Sequence, residues 1–583
     1  MKQDLSIRQQ GDLLILREEK SSLYLRIQFR FFFTPGSSIS SLLAASKVLF
    51  HDVRTKSILL FKMKLIALLF LLFLFPATAL AAEQVNFLNP RITNVKTSAL
   101  CDETKKCQTL FFLQGKNFVN SNGKTGLKVG HEWAKVLRVT DTQMVGVVSE
   151  ASAKSVPIVT VDKTIHRPTL DTTDPTLEKM FDESVDVAIS SVRVSKNSTR
   201  FMSAGPRYDN PPRVYYRDTY WSSGMMLMIE PFVVRDQILL LARGIGSNGS
   251  VPSAIPVDPA DRVMPLWADH HDSGSYFIML VSDYIRWTGD HTILKEQVNG
   301  KTVYAMAQSI LLHLASLDRD ENLLPDKPAG SFQDWADTIP RGGEVISNVV
   351  LYAHAISEMG QLARVMGNKE EGKKYDRLFE IIRFQINNRL WNEESDSYFE
   401  RCEAENCVDR LTNESSLAVL YDIIDPSNRD AFFERLRDLE TNRNANLAYG
   451  DWGVVNAYPA YAHTRSYTYQ NMTDWPFLDA MNAGARLKFG NADWKYPLTR
   501  WWEVFHSTRK KGKRLPEFVS PVDASAGDAQ AWSVAPMFSF VKYGLGLDPA
   551  IDGTYTLKVS PDGVAVLRDI VLRGRRVTVQ TSK

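Results

Sequence analysis

Residues 349–390 read VVLYAHAISEMGQLARVMGNKEEGKKYDRLFEIIRFQINNRL. Val349, Tyr352, Ala353, Ile356, Gly360 and Ala363 recur at three- and four-residue steps, the period of one buried helical face. Met366-Gly367-Asn368-Lys369 interrupts the pattern, and Tyr375, Leu378, Phe379, Ile382, Ile386 and Leu390 resume it. Two amphipathic helices joined by so short a break form a helical hairpin. Similar stretches occupy 224–243, 273–288, 302–316, 412–424, 428–440, 475–489, 491–507 and 529–544. About ten to twelve helices in consecutive pairs predict a toroid of hairpins. The linkers at 246–271, 322–344 and 443–473 are long and rich in Trp, Asp, Gly and Pro. Long loops gathered at one end of a rigid scaffold are where sites are usually built.

Outside this helical body the texture changes. Leu110–Leu113, Gly126–Val129, Ala134–Val139, Met144–Val148 and Val156–Val161 are short runs of β-formers punctuated by Gly, Asn, Ser and Asp, which predicts a small β-sandwich. After 553 alternation returns through Tyr555, Leu557, Val559, Val564, Val566, Leu567, Ile570, Leu572 and Val577, a short β appendage. Residues 63–82, MKLIALLFLLFLFPATALAA, combine a basic start, an apolar run to Phe75, Pro76 and the small-residue pattern Ala79-Leu80-Ala81. That is the pattern of a secretory signal peptide, too short to favour a membrane span. Met63 is read as the start, with 1–62 an upstream extension of the reading frame; the alternative is a cytoplasmic tail with 65–82 as an uncleaved anchor. The expected organisation is thus 1–62 extension, 63–82 signal peptide (Met63–Ala81), 83–167 β-sandwich, 168–548 helical toroid and 549–583 β segment. The mature chain is expected to be secreted or periplasmic, without a stable membrane span.

The chain has 583 residues, 44% apolar and 23% charged, enough for several domains and a large core. A formal charge of +2 argues against a broad basic face and hence against a nucleic-acid partner. Twelve Trp, 20 Tyr and 29 Phe pack cores and also stack on the C–H faces of sugars. The four cysteines form two close pairs, Cys101 with Cys107 and Cys402 with Cys407. In an oxidising compartment each pair closes a small loop, and neither has CxxC spacing. No HExxH, GxSxG or GxxxxGK[ST] string is present. His270-His271 with Asp269 and Asp272 are neighbours whose side chains point in different directions, so neither a metal nor another cofactor is expected.

Cleaving a glycosidic bond needs two carboxyl groups, one to protonate the leaving oxygen and one to activate water or attack. Gly330-Ser331-Phe332-Gln333-Asp334-Trp335-Ala336-Asp337-Thr338-Ile339-Pro340-Arg341 is an aromatic, turn-rich loop before a strong helix. A carboxyl packed against Trp has its charged form disfavoured, which suits a general acid; alternatively Asp334 or Asp337 caps the helix that follows. Glu517 lies in the Pro-bounded loop Leu515-Pro516-Glu517-Phe518-Val519-Ser520-Pro521, either a base or an exposed loop glutamate. Tyr216-Arg217-Asp218-Thr219-Tyr220-Trp221 places a donor, an acceptor and aromatic faces together, as sugar hydroxyls require or as a structural ion pair would.

In this order the motifs resemble the six-hairpin glycosidases, above all the glucosidase part of glycogen debranching enzymes and, more distantly, trehalases, processing α-glucosidases and α-rhamnosidases. The resemblance rests on Arg217-Asp218-Thr219-Tyr220-Trp221, Asp272-Ser273-Gly274 with Thr288-Gly289-Asp290, Trp335-Ala336-Asp337 with Pro340-Arg341, Asp474-Trp475-Pro476, and Pro516-Glu517-Phe518 with Gln530-Ala531-Trp532-Ser533. It covers about 210–545 and implies a mainly α, multidomain protein built on an (α/α)6 barrel. It also implies Asp337 rather than Asp334 as general acid, Glu517 as general base, and inversion at the anomeric carbon. The implied sugar-binding residues are Arg217, Asp218, Trp221, Asp272, Trp335, Asp474, Trp475, Gln530 and Trp532. Asn89-Pro90-Arg91-Ile92 and Leu113-Gln114-Gly115-Lys116-Asn117-Phe118 resemble the immunoglobulin-like IPT or TIG domains, a docking or substrate-presenting module. The large N-terminal sugar-binding β-domain of debranching enzymes has no counterpart in this resemblance. The expected function is an exported hydrolase of α-linked oligosaccharides. A polysaccharide lyase on the same toroid and a non-catalytic carbohydrate-binding surface protein are the alternatives.

Overall fold

The computed structural model describes residues 167–195, 199–259, 268–508 and 514–581, together with the backbone of strands within 5–28 and 91–161. The signal-like stretch 63–82 and the side chains of Cys101 and Cys107 lie outside the described residues.

Twelve α-helices follow one another among the described residues: α1 Pro175–Ser191, α2 Tyr216–Ile229, α3 Pro231–Ala242, α4 Ser273–Thr288, α5 Val303–Ala315, α6 Ile346–Val365, α7 Lys369–Leu390, α8 Leu417–Leu420, α9 Arg429–Leu436, α10 Pro476–Lys488, α11 Lys495–Thr508 and α12 Ala535–Ser539. The even-numbered helices pack side by side in a closed ring, α2–α4–α6–α8–α10–α12 and back to α2. The odd-numbered helices lie outside it. Burial states the same division. In α4 every residue from Ser273 to Ile285 is buried, whereas α7 buries only Gly372, Ile382, Ile386 and Leu390. A helix apolar all round belongs inside, and one with a single apolar stripe belongs at a surface.

Local chemistry sets the boundaries. Asp174 caps α1 by accepting from the Thr176 N–H, and Pro175 occupies the first turn, where its missing donor costs nothing. The periodic stretch 224–243 is not one helix. Pro231 cannot continue α2 and instead starts α3, so the chain reverses at Glu230. The stretch 529–544 is likewise composite, a 3-10 turn at Ala531–Val534, the short α12 and a π turn at Phe540–Gly544.

The final segment is not a separate appendage. Val566–Leu572 pairs with Arg575–Gln580 on one side and with Thr169–Asp171 on the other, so the end of the chain closes on the strand that precedes α1. An open sheet edge needs a partner, and the two ends of the helical body supply one to each other. Tyr555, Leu557 and Val559 lie outside any strand. In the N-terminal part, Arg91–Cys101, Cys107–Lys116, Gln143–Ser149 and Lys135–Val139 form a four-stranded antiparallel sheet in that order, with Cys101 opposite Cys107. Pro157–Val161, Thr125–Val129 and Glu132–Trp133 form a second sheet of three.

Short connections join inner to outer helices, and long ones lead from outer to inner. The long ones meet where the inner helices begin: Arg217 bonds Asp272, Asn413 bonds Asp479, and Gln530 bonds Asp218. One of these connections is pinned by the hairpin Arg401–Glu403/Asn406–Val408, closed by the Cys402–Cys407 disulfide and paired with Glu344–Val345 just before α6. Gly343 has φ +75°, and a Cβ there would overlap the Cys402 carbonyl. Gly343→Ala is therefore expected to destabilise the fold by more than about 1 kcal/mol, measured by denaturant unfolding.

Candidate active site

Asp337 leaves the acid loop half-buried, and its Oδ1 accepts from Gln470 Nε2 at 2.9 Å. Gln470 also donates to the Trp335 carbonyl at 2.6 Å and accepts from Thr338 N and Oγ1 at 2.8 and 2.7 Å. One side chain thus clamps both flanks of Asp337. Burial raises the Asp337 carboxyl above its ordinary value, and Arg217 and Gln470 offset this only in part. A shift in this direction favours the protonated form.

Asp334, three residues earlier, is the opposite case. It is fully buried, with Lys327 Nζ at 2.5 Å and Arg341 at 3.0 Å. Burial pushes its carboxyl up, but Arg341 and Lys327 outweigh it and hold Asp334 below the carboxylate range. Arg341 continues to Glu414 at 2.5 Å and Glu400 at 3.5 Å, and its guanidinium lies 5.9 Å from the Trp335 ring centre. Asp334 is therefore held in its charged form as an anchor under the loop, and the Asp337 carboxyl is shifted the other way. The helix that follows is capped by Val345 without a side-chain bond, so neither aspartate caps it.

Glu517 is 3% exposed, so it is not a surface loop charge. Tyr208 donates to its Oε1 at 2.7 Å, and Arg207 lies 3.9 Å from Oε2. Burial raises its carboxyl, Tyr208 and Arg207 lower it, and the charge of Asp337 raises it again. The last effect puts the two carboxyls within electrostatic reach of each other. Its backbone is held at several points: Glu517 N bonds Ala526 O at 2.7 Å, Ser533 Oγ bonds Pro516 O at 2.5 Å, and Asp474 and Val519 exchange both N–H···O bonds at 3.0 and 2.7 Å.

The phenol of Tyr469 is pushed up by burial and then by the charges of Asp337 and Glu517. Arg217 and Asp218 act on the same phenol, so four of the expected groups converge there. Arg217 Nε donates to Asp272 Oδ2 at 2.9 Å, His270 Nδ1 meets Asp272 Oδ1 at 2.6 Å, and Gln530 Nε2 donates to Asp218 Oδ1 at 3.2 Å. Burial raises Asp218 to about 7 against the pull of Arg217, with Glu517 adding to the rise.

Two expected sugar contacts are corrected. Asp474 and Trp475 are 0% and 1% exposed. Asp474 accepts from Val454 N at 2.9 Å, and its carboxyl and that of Asp479 are both raised, first by burial. It holds the Glu517 segment rather than a sugar. Trp475 packs on Trp335, Phe518 and Trp532, and its Nε1 donates to Thr473 Oγ1 at 2.8 Å. Trp221, Trp335 and Trp532 join it through Phe477 in one buried aromatic cluster. Ring packing takes up these indoles, and the same packing excludes water from the carboxyls beside them.

Tyr208, Arg207, Tyr469 and Gln470 were not singled out from the sequence. The Gly205-Pro206-Arg207-Tyr208 turn and the long linker at 443–473 were the available signals. Of the neighbours His270, His271, Asp269 and Asp272, His270 meets Asp272 and Asp269 meets His313 at 2.9 Å. Among the described residues Asp318, Asp320 and Asp326 stand close enough to share a cation, but Asp318 and Asp326 accept from the N–H groups of Asn322, Leu323 and Arg319 in their own loop.

Comparison with solved structures returns glycosidases. A GH78 family rhamnosidase of Bacillus sp. GL1 is 13% identical, with 82% of this chain and 52% of that chain covered and a TM-score of 0.48. A sialidase is 12% identical over 82% of this chain and 51% of that chain, with a TM-score of 0.52. The GH63 mannosylglycerate hydrolase of Thermus thermophilus, solved in complex with glucose, is 11% identical over 63% of this chain and 100% of that chain, with a TM-score of 0.47. The chain spans about half the length of the rhamnosidase and of the sialidase, and the sialidase likeness shows a shared fold alone. No curated protein matches it in sequence. Residues 186–539, more than half of the chain and the span of the closed helical ring, match the family described as amylo-alpha-1,6-glucosidase, and the chain belongs to that six-hairpin family of glycoside hydrolases.

Proposed function

We propose that this protein hydrolyses α-linked glycosides with inversion, Asp337 protonating the leaving oxygen and Glu517 deprotonating the attacking water. The observation that carries the reading is the pair itself: the half-buried Asp337 and the buried Glu517, both raised first by burial, with the charge of Asp337 acting on Glu517 and both acting on Tyr469, one clamped by a neutral amide and the other served by a phenol and a guanidinium. Asp337 enters the reaction protonated and regains its proton by exchange with solvent after turnover. Glu517 enters ionised and gives up the proton of the attacking water to solvent. Arg217 orients the sugar, positioned by the buried Asp272 and backed by the buried Asp218–Gln530 pair. An inverting reaction needs the carboxyls about 6.5–9.5 Å apart, to leave room for water.

Export is part of the same proposal. The signal-like stretch at 63–82 motivates it, and the Cys402–Cys407 disulfide suits an oxidising compartment. Residues 83–167 are proposed as an IPT/TIG-like docking module.

The test is release of reducing sugar from α-glucosides, α-rhamnosides, trehalose and uronate polymers, with the anomer of the product followed by NMR. Release with inversion supports the reading. Ultraviolet absorbance growing on uronates would replace it by a lyase. Sugar binding without turnover would replace it by a binding protein. A further prediction concerns pH. Glu517 must be ionised, so activity falls as pH drops through its pKa, and the Tyr208 hydrogen bond lowers that pKa. Tyr208→Phe is expected to move the acidic limb of the kcat/KM profile to higher pH; an unmoved limb would exclude Tyr208 from the base.

A further inference from the structure

Every residue of α10 from Pro476 to Leu487 is buried, and three of them are Asp479, Asn482 and Arg486, which recur at steps of three and four on one face. Polar groups so deep persist where hydrogen bonds satisfy them. Here the bonds run in one direction. Arg486, paired with Glu440 at 2.8 Å, donates from Nε to Asn482 Oδ1 at 2.8 Å. Asn482 Nδ2 then donates to Asn413 Oδ1 at 2.8 Å, and Asn413 Nδ2 donates to Asp479 Oδ1 at 2.9 Å. Arginine has no acceptor, so its end fixes the sense of the whole chain.

The chain delivers its last donor to Asp479, and the carboxyl of Asp474 lies within hydrogen-bonding reach beyond it. Asp474 uses Oδ2 on the Val454 N–H. That leaves Asp479 Oδ2 and Asp474 Oδ1, both buried, with no donor among the described residues. The groups that act on the pair bring no spare cation: Arg486 is already paired with Glu440, and Tyr496 of α11 is a phenol. Two carboxylates are acceptors only and cannot bond to each other, whereas one proton between them makes a bond and removes a buried charge.

The pair stands under both halves of the site. Asp474 exchanges two backbone bonds with Val519, two residues beyond Glu517, and lies four residues beyond Gln470, which clamps Asp337. Gly453 leaves the Asp474 carboxyl its space, since a Cβ there would overlap Oδ2. Resting on the hydrolase reading above, we propose that Asp474 and Asp479 share one proton, and that the bond it makes fixes the segment carrying Glu517, so that the pair positions the base without touching the substrate. Burial raises both carboxyls, and the charge of Asp474 raises Asp479 further, so Asp479 holds the proton and Asp474 accepts it.

The test uses the full chain and two substitutions of the group that holds the proton. Asp479→Asn puts a permanent N–H in its place, and Asp479→Val removes the bond. Both carboxyls lie above their unfolded values, so their contribution to stability is present at low pH and is lost as pH rises. Asp479→Asn is expected to reduce the loss of stability between pH 5 and pH 8 by the equivalent of about one proton per molecule, read from denaturant midpoints. An unchanged slope would overturn the shared proton. On a cleavable glycoside Asp479→Asn is expected to keep kcat within about threefold, while Asp479→Val lowers it roughly 10–100-fold with little change in KM, the scale for a displaced catalytic group. Equal losses in the two variants, or a loss confined to KM, would overturn the positioning role. Should Asp479→Val fail to fold, Asp474→Asn offers the same N–H from the other side and is expected to keep kcat; its loss would also overturn that role. A parent that cleaves no glycoside would remove the hydrolase reading, and the slope of stability against pH would still decide the proton.

Discussion

Asp337→Asn is expected to lower kcat on a glycoside with a poor leaving group by about 10²–10⁴-fold, the usual worth of a positioned general acid. The amide keeps the shape of the side chain and its contact with Gln470, so the ring of helices and the sugar network should persist. What goes is the proton. Glu517→Gln is expected to cost about as much, because water then has no base, while the Tyr208 contact survives in altered form. The double variant should lose little more than either single one, since the two groups act as a unit. A substrate whose leaving group needs no protonation separates the roles: it should rescue Asp337→Asn and leave Glu517→Gln inactive. Release of sugar that survives both substitutions would remove these residues from the chemistry.

Arg341→Met is expected to destabilise the protein by about 3–5 kcal/mol, the scale for stranding a buried charge. Arg341 is 1% exposed and joins Asp334, Glu414 and Glu400 beneath the acid loop. Met fills similar volume but leaves Asp334 with Lys327 alone. The pH dependence has a definite sign. The folded value of Asp334 lies below its unfolded one, so its contribution is present above the ordinary carboxylate range and is lost as pH falls toward the folded value. Glu414 is raised to about 7 by burial despite Arg341, so its contribution is present at low pH and is lost as pH rises through about 7. Without Arg341 the first contribution shrinks and Glu414 rises further. The variant should therefore lose less stability on acidification than the parent and more on passing from pH 5 to pH 8. Arg341→Met combined with Asp334→Asn should recover part of the loss, because the stranded charge is gone. Denaturant midpoints across that pH range check both statements. Additive losses would mean that Arg341 and Asp334 are not coupled.

The helical hairpin at 349–390, the pairing of helices and the long loops at one end were legible because each follows from local periodicity. Arg217, Asp218, Asp272, Asp337 and Glu517 stood out as candidates because they lie in loops or at helix starts, where a charge is not explained by a solvated helix face. The break at Pro231 was legible in principle but was hidden inside a continuous apolar pattern. The pairing of Thr169–Asp171 with Val566–Leu572 joins segments about 400 residues apart, and no local pattern announces such a partner.

By itself, then, the order of residues determined a mainly helical body of paired helices, the ordered motifs of a six-hairpin glycosidase and the carboxyls from which an acid and a base could be drawn. Only the tertiary structure decided that two aspartates of one loop are shifted in opposite directions. Asp334 and Asp337 are three residues apart in one loop; one meets Arg341 and Lys327, the other Gln470, and a pKa depends on what lies within a few ångströms in space. The same holds for Asp474 and Trp475, which read as site residues and are buried supports, and for Tyr208 and Gln470, which the ring of helices brings to Glu517 and Asp337 from loops far away along the chain. Periodicity is a property of neighbours in sequence, whereas desolvation and charge are properties of neighbours in space.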